Sequence, residues 1–233
     1  MKLNSAVRAL LFDMDGLLLD TEDIHIRAYM ELCRQLGKPQ PFEALKRFIG
    51  LSHHVTVTFL TDDLGFKHLD KEELILREQA IYFEILAREK PHPFPGVREM
   101  FKLADERGLK RGLVSSSNAH QVAPTMEVVL GHLDCRGCWK EYFQTICTGD
   151  RLERLKPHPD PYLLAAKELG LHPSECVVFE DSPAGVQAAH AAGCRVVAIP
   201  NIYLTHDEVV QGRTPHVYRS LLDAHANLAA FLD

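Results

Sequence analysis

The sequence predicts an α/β fold, a doubly wound and mostly parallel sheet carrying an inserted helical unit, and three observations lead there. Short apolar runs at 7–12, 111–114, 145–148, 176–179 and 196–199 alternate with stretches of helical spacing. That alternation calls for parallel strands joined by crossover helices on both faces of the sheet. A long stretch from about 20 to 91 contains no convincing strand and reads as an insertion. Residues with acid, hydroxyl and amine side chains gather just past the apolar runs, where open α/β sheets collect their functional groups.

The first run leads into Asp13-Met14-Asp15-Gly16. Side chains alternate along an extended segment, so the two carboxylates point the same way and repel unless a cation or a proton intervenes. A hard Mg²⁺ suits such a pair, because it accepts carboxylate oxygens and keeps positions for water and a phosphate oxygen. Gly16 then allows a sharp turn. Within the insertion, Ile24, Ala28, Leu32 and Leu36 recur at fourfold spacing, and 55–64 and 71–89 also have a helical pattern, so a small bundle is expected. The chain returns through Pro91-His92-Pro93-Phe94-Pro95-Gly96, a proline-rich connection. The expected division is therefore 1–19 with 92–233 as one unit and 20–91 as the other.

The run 111–114 ends in Ser115-Ser116-Ser117-Asn118, which offers hydroxyls and successive backbone N–H groups ahead of a helix. Such a place suits a phosphate, and Ser115, Ser116 and Asn118 are its candidates. Leu155-Lys156-Pro157-His158-Pro159-Asp160-Pro161 holds a lysine in a stretch that prolines keep extended, until Asp160 caps a helix with Pro161 as its first residue. The run 176–179 ends in a second acidic pair, Glu180-Asp181, followed by Ser182. From Pro183, the small residues Gly185, Ala188, Ala189 and Ala192 form a stripe that lets a helix lie close to the sheet, and Gly193 ends it.

Composition narrows the function further. Among 233 residues, a hydrophobic share of 46% supports a full core, and a formal charge of −6 with no basic stripe argues against general nucleic-acid binding. No apolar stretch reaches the roughly 18 residues that a bilayer demands, and Met1-Lys2 leads into a core strand rather than a signal peptide, so a cytosolic location is expected. The six cysteines sit mostly in apolar surroundings, as reduced core thiols do. Cys135-Arg136-Gly137-Cys138, three residues after His132, offers three soft ligands but no evident fourth, and is read as a surface turn before Trp139. Nothing in the sequence fixes an oligomeric state.

Taken in order, the D-x-D-G loop, strand-end serine, lysine before a proline-rich helix start and strand-end acidic pair resemble the haloacid dehalogenase superfamily of aspartyl phosphohydrolases, over nearly the whole chain. The resemblance implies a Rossmann-like core with an α-helical cap at 20–91 that sets substrate choice. By position it makes Asp13 the nucleophile, Asp15 the general acid/base, and Ser115 and Lys156 the groups that grip the transferring phosphate. Asp13, the Asp15 backbone carbonyl, Glu180 and Asp181 would hold or orient Mg²⁺. The implied activity is Mg²⁺-dependent hydrolysis of a small phosphomonoester, a sugar phosphate or nucleoside monophosphate, through an aspartyl-phosphate. Its partner is then a small phosphorylated metabolite, with no role for nucleic acid or membrane.

Two branches share these features. The phosphatase branch that includes pseudouridine-5′-phosphatase matches in the run from Phe12 to Glu22 and in Phe179-Glu180-Asp181. The β-phosphoglucomutase branch matches too, including Asp20-Thr21 and His25, but Gly50-Leu51-Ser52 is followed here by His53 instead of the mutase's arginine. Glu78 aligns with the mutase's cap lysine, and a carboxylate facing a phosphate would repel it; both departures favour hydrolysis. His25, His53 and His54 are candidates for reading the substrate, although histidines on an amphipathic helix also serve packing. A halide-releasing dehalogenase would have little use for the acidic cluster, and a non-catalytic module would not need every catalytic position filled.

Overall fold

The computed structural model describes residues 6–49, 53–133, 139–227 and 232, with the side chains of His53 and His54 outside that description. The chain divides into two compact units, 1–19 with 92–233 and 20–91. In the first, β1 (Ala9–Phe12), β2 (Lys110–Val114), β3 (Thr145–Cys147), β4 (Cys176–Glu180) and β5 (Arg195–Ala198) form one sheet. Every pairing is parallel and the order is β3-β2-β1-β4-β5, so the first strand of the chain lies at the centre. The α/β class expected from the alternation is the one observed.

Period-two alternation sorts each strand's side chains between the two faces. Ala9 and Leu11 of β1 and Cys176 and Val178 of β4 pack with residues of α7 (Asp160–Glu168) and α8 (Pro183–Ala192). Phe12 faces the other way and stacks on Phe179 at 5.2 Å, with Phe101 of α5 (Val97–Glu106) edge-on at 5.4 Å. Leu10, Leu11 and Phe12 are fully buried; each such burial is worth about 1.5–3 kcal/mol relative to exposure. Buried Gly185, Ala188, Ala189 and Ala192 run along α8, and Gly193 ends it in the left-handed conformation, as the small-residue stripe implied.

Boundaries differ from expectation in two informative places. β1 starts at Ala9 rather than Val7, although Arg8 N–H still donates to the Glu175 carbonyl at 2.8 Å. In α7 the cap position falls on Pro159, so Asp160 is the first helical residue instead of the cap. Its carboxylate takes Arg154 at 2.8 Å instead of a backbone N–H.

The other unit is helical: α1 (Thr21–Gln35), α2 (Phe42–Leu45), α3 (His53–Asp62) and α4 (Lys71–Glu89). Asp20 caps α1 by accepting from Asp23 N–H, and Asp70 caps α4 by accepting from Glu73 N–H. Ile24, Ala28 and Leu32 of α1 are buried, as their spacing required, and α1 packs on α4. Among the described residues no helix is long and apolar enough to cross a membrane. The Cys135–Cys138 turn, and Gly50, Leu51 and Ser52, lie outside the described residues.

Candidate active site

The site is built where β1, β2 and β4 end. Beyond β1 the ladder continues for one residue, with Asp13 N–H donating to the Phe179 carbonyl at 3.1 Å; beyond β2, Ser115 N–H donates to the Cys147 carbonyl at 3.0 Å. Those bonds hold Asp13 and Ser115 at fixed heights on the sheet edge. The chain then turns tightly, with Gly16 N–H bonded to the Leu19 carbonyl at 3.0 Å. Gly16 has φ +78°, and a Cβ there would stand 2.1 Å from Asp181 Oδ2 and 2.9 Å from Asn201 Nδ2. Only glycine permits both the turn and the approach.

Asp13 and Glu180 point to the face that carries α7, as their places in the alternation require, and Lys156 meets them there. The Lys156 ammonium donates to Asp13 Oδ1, to Glu180 Oε1 at 2.7 Å and to the Val114 carbonyl at 2.9 Å. Three acceptors use all three of its protons. Asp15 is turned to the serine segment: its Oδ2 accepts from Ser115 Oγ at 3.1 Å and from Ser117 Oγ at 2.8 Å, while Ser117 N–H donates to Ser115 Oγ at 3.0 Å. Asp13, Ser115, Glu180 and Asp181 are all buried, Glu180 completely.

So much acid in so little solvent perturbs titration. Burial is the largest influence on Asp13 and raises its pKa well above the usual carboxylate range; Lys156 opposes the rise, while Glu180 and Asp15 add to it. Burial alone would lower Lys156, but the charges of Asp13 and Glu180 outweigh it and hold the ammonium above the ordinary lysine value. Among the described residues one lysine faces several carboxylates here, and a further cation would complete the balance. Asp13, Glu180 and Asp181 each offer a ligand atom, all within 4.8 Å of one another. That hard, all-oxygen donor set fits Mg²⁺.

The remaining sequence candidates separate. Ser116 is exposed beside the site. The Asn118 side-chain oxygen accepts from Gln121 N–H at 3.0 Å, which makes Asn118 the cap of α6 (Ala119–Gly131). His25 belongs to the helical unit, where Nδ1 meets Glu78 Oε1 at 2.8 Å and the ring stacks on Tyr82 at 4.2 Å. Glu78 is completely buried in that contact. It is therefore an interior residue of the helical unit, paired with His25. The reason is its spacing, four residues from both Leu74 and Tyr82 on the buried face of α4. The His53 side chain lies outside the described residues.

Three residues at the site carried no motif. Ser117 shares Asp15 with Ser115, and the Ser115–Ser117 run was the available sign. Tyr162 of α7 donates its hydroxyl to Glu180 Oε1. Asn201 lies 3.4 Å from Asp181 Oδ2 through Nδ2, and its N–H donates to the Asp181 carbonyl at 3.3 Å.

With this geometry in place, known proteins give it a class. Residues 10–199 match the family model of haloacid dehalogenase-like hydrolases. Hexitol phosphatase B of Escherichia coli (strain K12) is 33% identical over 195 residues, covering 83% of this chain and 84% of the relative. A protein of Drosophila melanogaster named a probable pseudouridine-5′-phosphatase is 32% identical over 230 residues, 96% of this chain and 95% of the relative. Among solved structures, CbbY from Rhodobacter sphaeroides in complex with phosphate superimposes with a TM-score of 0.80 at 25% identity, covering 94% of this chain and 96% of that one. The chain belongs to the family of haloacid dehalogenase-like hydrolases.

Proposed function

We propose that this enzyme, a phosphoric monoester hydrolase, is a Mg²⁺-dependent phosphatase of the cytosol that acts on a small sugar phosphate or nucleoside monophosphate. Residues 20–91 serve as its substrate-selecting cap, with His25 and His53 among the groups that read the substrate. The observation that carries the reading is the convergence of Asp13, Asp15, Ser115, Lys156, Glu180 and Asp181 on one sheet edge. A structural ion pair needs two of these groups; phosphoryl transfer from an ester to water uses all of them.

Asp13 attacks phosphorus in line through a carboxylate oxygen, and the bond from phosphorus to the alcohol oxygen breaks. Lys156 and the Ser115 hydroxyl bind the phosphoryl oxygens and keep the ester oriented. Asp15, held through Oδ2 by two serine hydroxyls, gives a proton to the departing alkoxide. It then takes one from the water that attacks the aspartyl-phosphate, which returns Asp13 as a carboxylate and releases inorganic phosphate. Asp13, Asp181 and Glu180, with the backbone carbonyl of Asp15, would hold the Mg²⁺, which when bound supplies positive charge that offsets the crowded carboxylates and the phosphate dianion. A metal-independent dehalogenation leaves that acidic set without a use.

The names of the relatives support a small polyol, sugar or nucleoside ester. The test is a panel of phosphorylated metabolites that includes hexitol phosphates, sugar phosphates and pseudouridine 5′-phosphate, scored for free phosphate and for isomerised sugar phosphate. Phosphate release from one or a few of these esters is expected, with pseudouridine 5′-phosphate the first to try and isomerisation of β-glucose 1-phosphate negligible. Efficient isomerisation with little free phosphate would make the protein a mutase.

A further inference from the structure

Tyr162 has no part in the chemistry described above, yet it is completely buried against it. Its hydroxyl donates to Glu180 Oε1, the same oxygen that takes Lys156 at 2.7 Å, and the Lys156 ammonium stands 5.3 Å from the centre of its ring. Glu180 Oε2 is engaged separately by the Ser182 hydroxyl at 3.2 Å. The α8 backbone also comes close: a Cβ on Gly185 would fall 1.9 Å from the Glu180 carboxylate. Glu180 thus meets a phenol, an ammonium, a hydroxyl and a glycine.

Lys156 is the contested group. Its three protons are spent on Asp13, Glu180 and the Val114 carbonyl, so a phosphate oxygen can be bound only when one acceptor yields. The Val114 carbonyl is fixed in the backbone, and a buried carboxylate with too few donors would hold the ammonium tightly. We infer that Tyr162 is a positioning residue which, by donating to Glu180, relaxes that carboxylate's hold on Lys156 and leaves the ammonium able to turn to the phosphate. This rests on the proposed role of Lys156 as the phosphate grip. Tyr162→Phe removes one oxygen from a buried site with almost no change of shape; Glu180 Oε1 then depends on Lys156 alone, and phosphate binding weakens.

The test is calorimetric titration of inorganic phosphate into the whole protein with Mg²⁺ present, for the parent, Tyr162→Phe, Glu180→Gln and the double variant, with thermal unfolding as the check on folding. Tyr162→Phe should bind phosphate about tenfold more weakly, and KM for a hydrolysed ester should rise by a similar factor while kcat changes less. Because the phenol acts through Glu180, the two substitutions should be non-additive, with Tyr162→Phe costing little once Glu180→Gln is present. Unchanged phosphate affinity in a variant that only melts earlier would overturn the inference, as would losses that simply add. If the parent binds no phosphate, the grip assigned to Lys156 fails and this inference with it. If the parent binds phosphate but hydrolyses no ester, the phosphatase reading fails while the binding comparison still decides the role of Tyr162.

Discussion

Asp13→Asn is expected to fold as the parent does and to lose turnover by at least about four orders of magnitude, the scale seen when a covalent nucleophile is removed. The substitution exchanges an oxygen for an amide nitrogen at nearly constant volume, so packing beside Lys156 survives. Burial, reinforced by Glu180 and Asp15, already raises the pKa of this carboxyl against the opposing pull of Lys156. A neutral amide should therefore be tolerated there without metal, and the variant should melt no earlier than the parent in EDTA. Steady-state phosphate release and a melting curve on one preparation check both halves. Near-native kcat in the variant would exclude a covalent intermediate on Asp13.

Lys156→Ala is the second large effect, and it should strike stability as well as activity. The parent lysine is almost wholly buried, with side-chain exposure of 5%, and it is the cation bonded to Asp13 and Glu180. Removing one partner of a buried pair leaves uncompensated charge and typically costs about 3–5 kcal/mol. Loss of a preorganised donor to the transferring phosphate costs about 10²–10³ in rate. The expected result is a variant with kcat/KM down by at least that factor and a lowered Tm that Mg²⁺ raises more than it raises the parent's. A variant with unchanged Tm and near-native kcat/KM would show Lys156 to be a bystander.

Much of this was legible in the chain because parallel α/β sheets are written in apolar runs separated by helical periods. The five runs became the five strands, and period two placed Asp13 and Glu180 on the α7 face where Lys156 reaches them. What stayed hidden depends on partners far apart in sequence. Tyr162 reads as one more core aromatic until the fold brings its hydroxyl to Glu180. Asn201 sits in a loop after β5 with no pattern to mark it, and its link to Asp181 exists only once β4 and β5 are paired. The spacing of Glu78 from Leu74 and Tyr82 already put it on the apolar face of α4, but its pairing with His25 exists only once α1 and α4 pack. Asn118 followed its local chemistry and became a helix cap, the commonest use of asparagine ahead of a helix.

If the buried carboxylates around Lys156 hydrolyse phosphomonoesters with the help of a divalent cation, phosphate release from p-nitrophenyl phosphate must follow the metal, measured after exhaustive treatment with EDTA and again after adding Mg²⁺ or Ca²⁺. The expected result is no turnover in EDTA, full recovery with Mg²⁺, and inhibition by Ca²⁺, whose larger and looser coordination shell would misplace Asp13. Undiminished activity in EDTA would rule out a metal-dependent phosphatase.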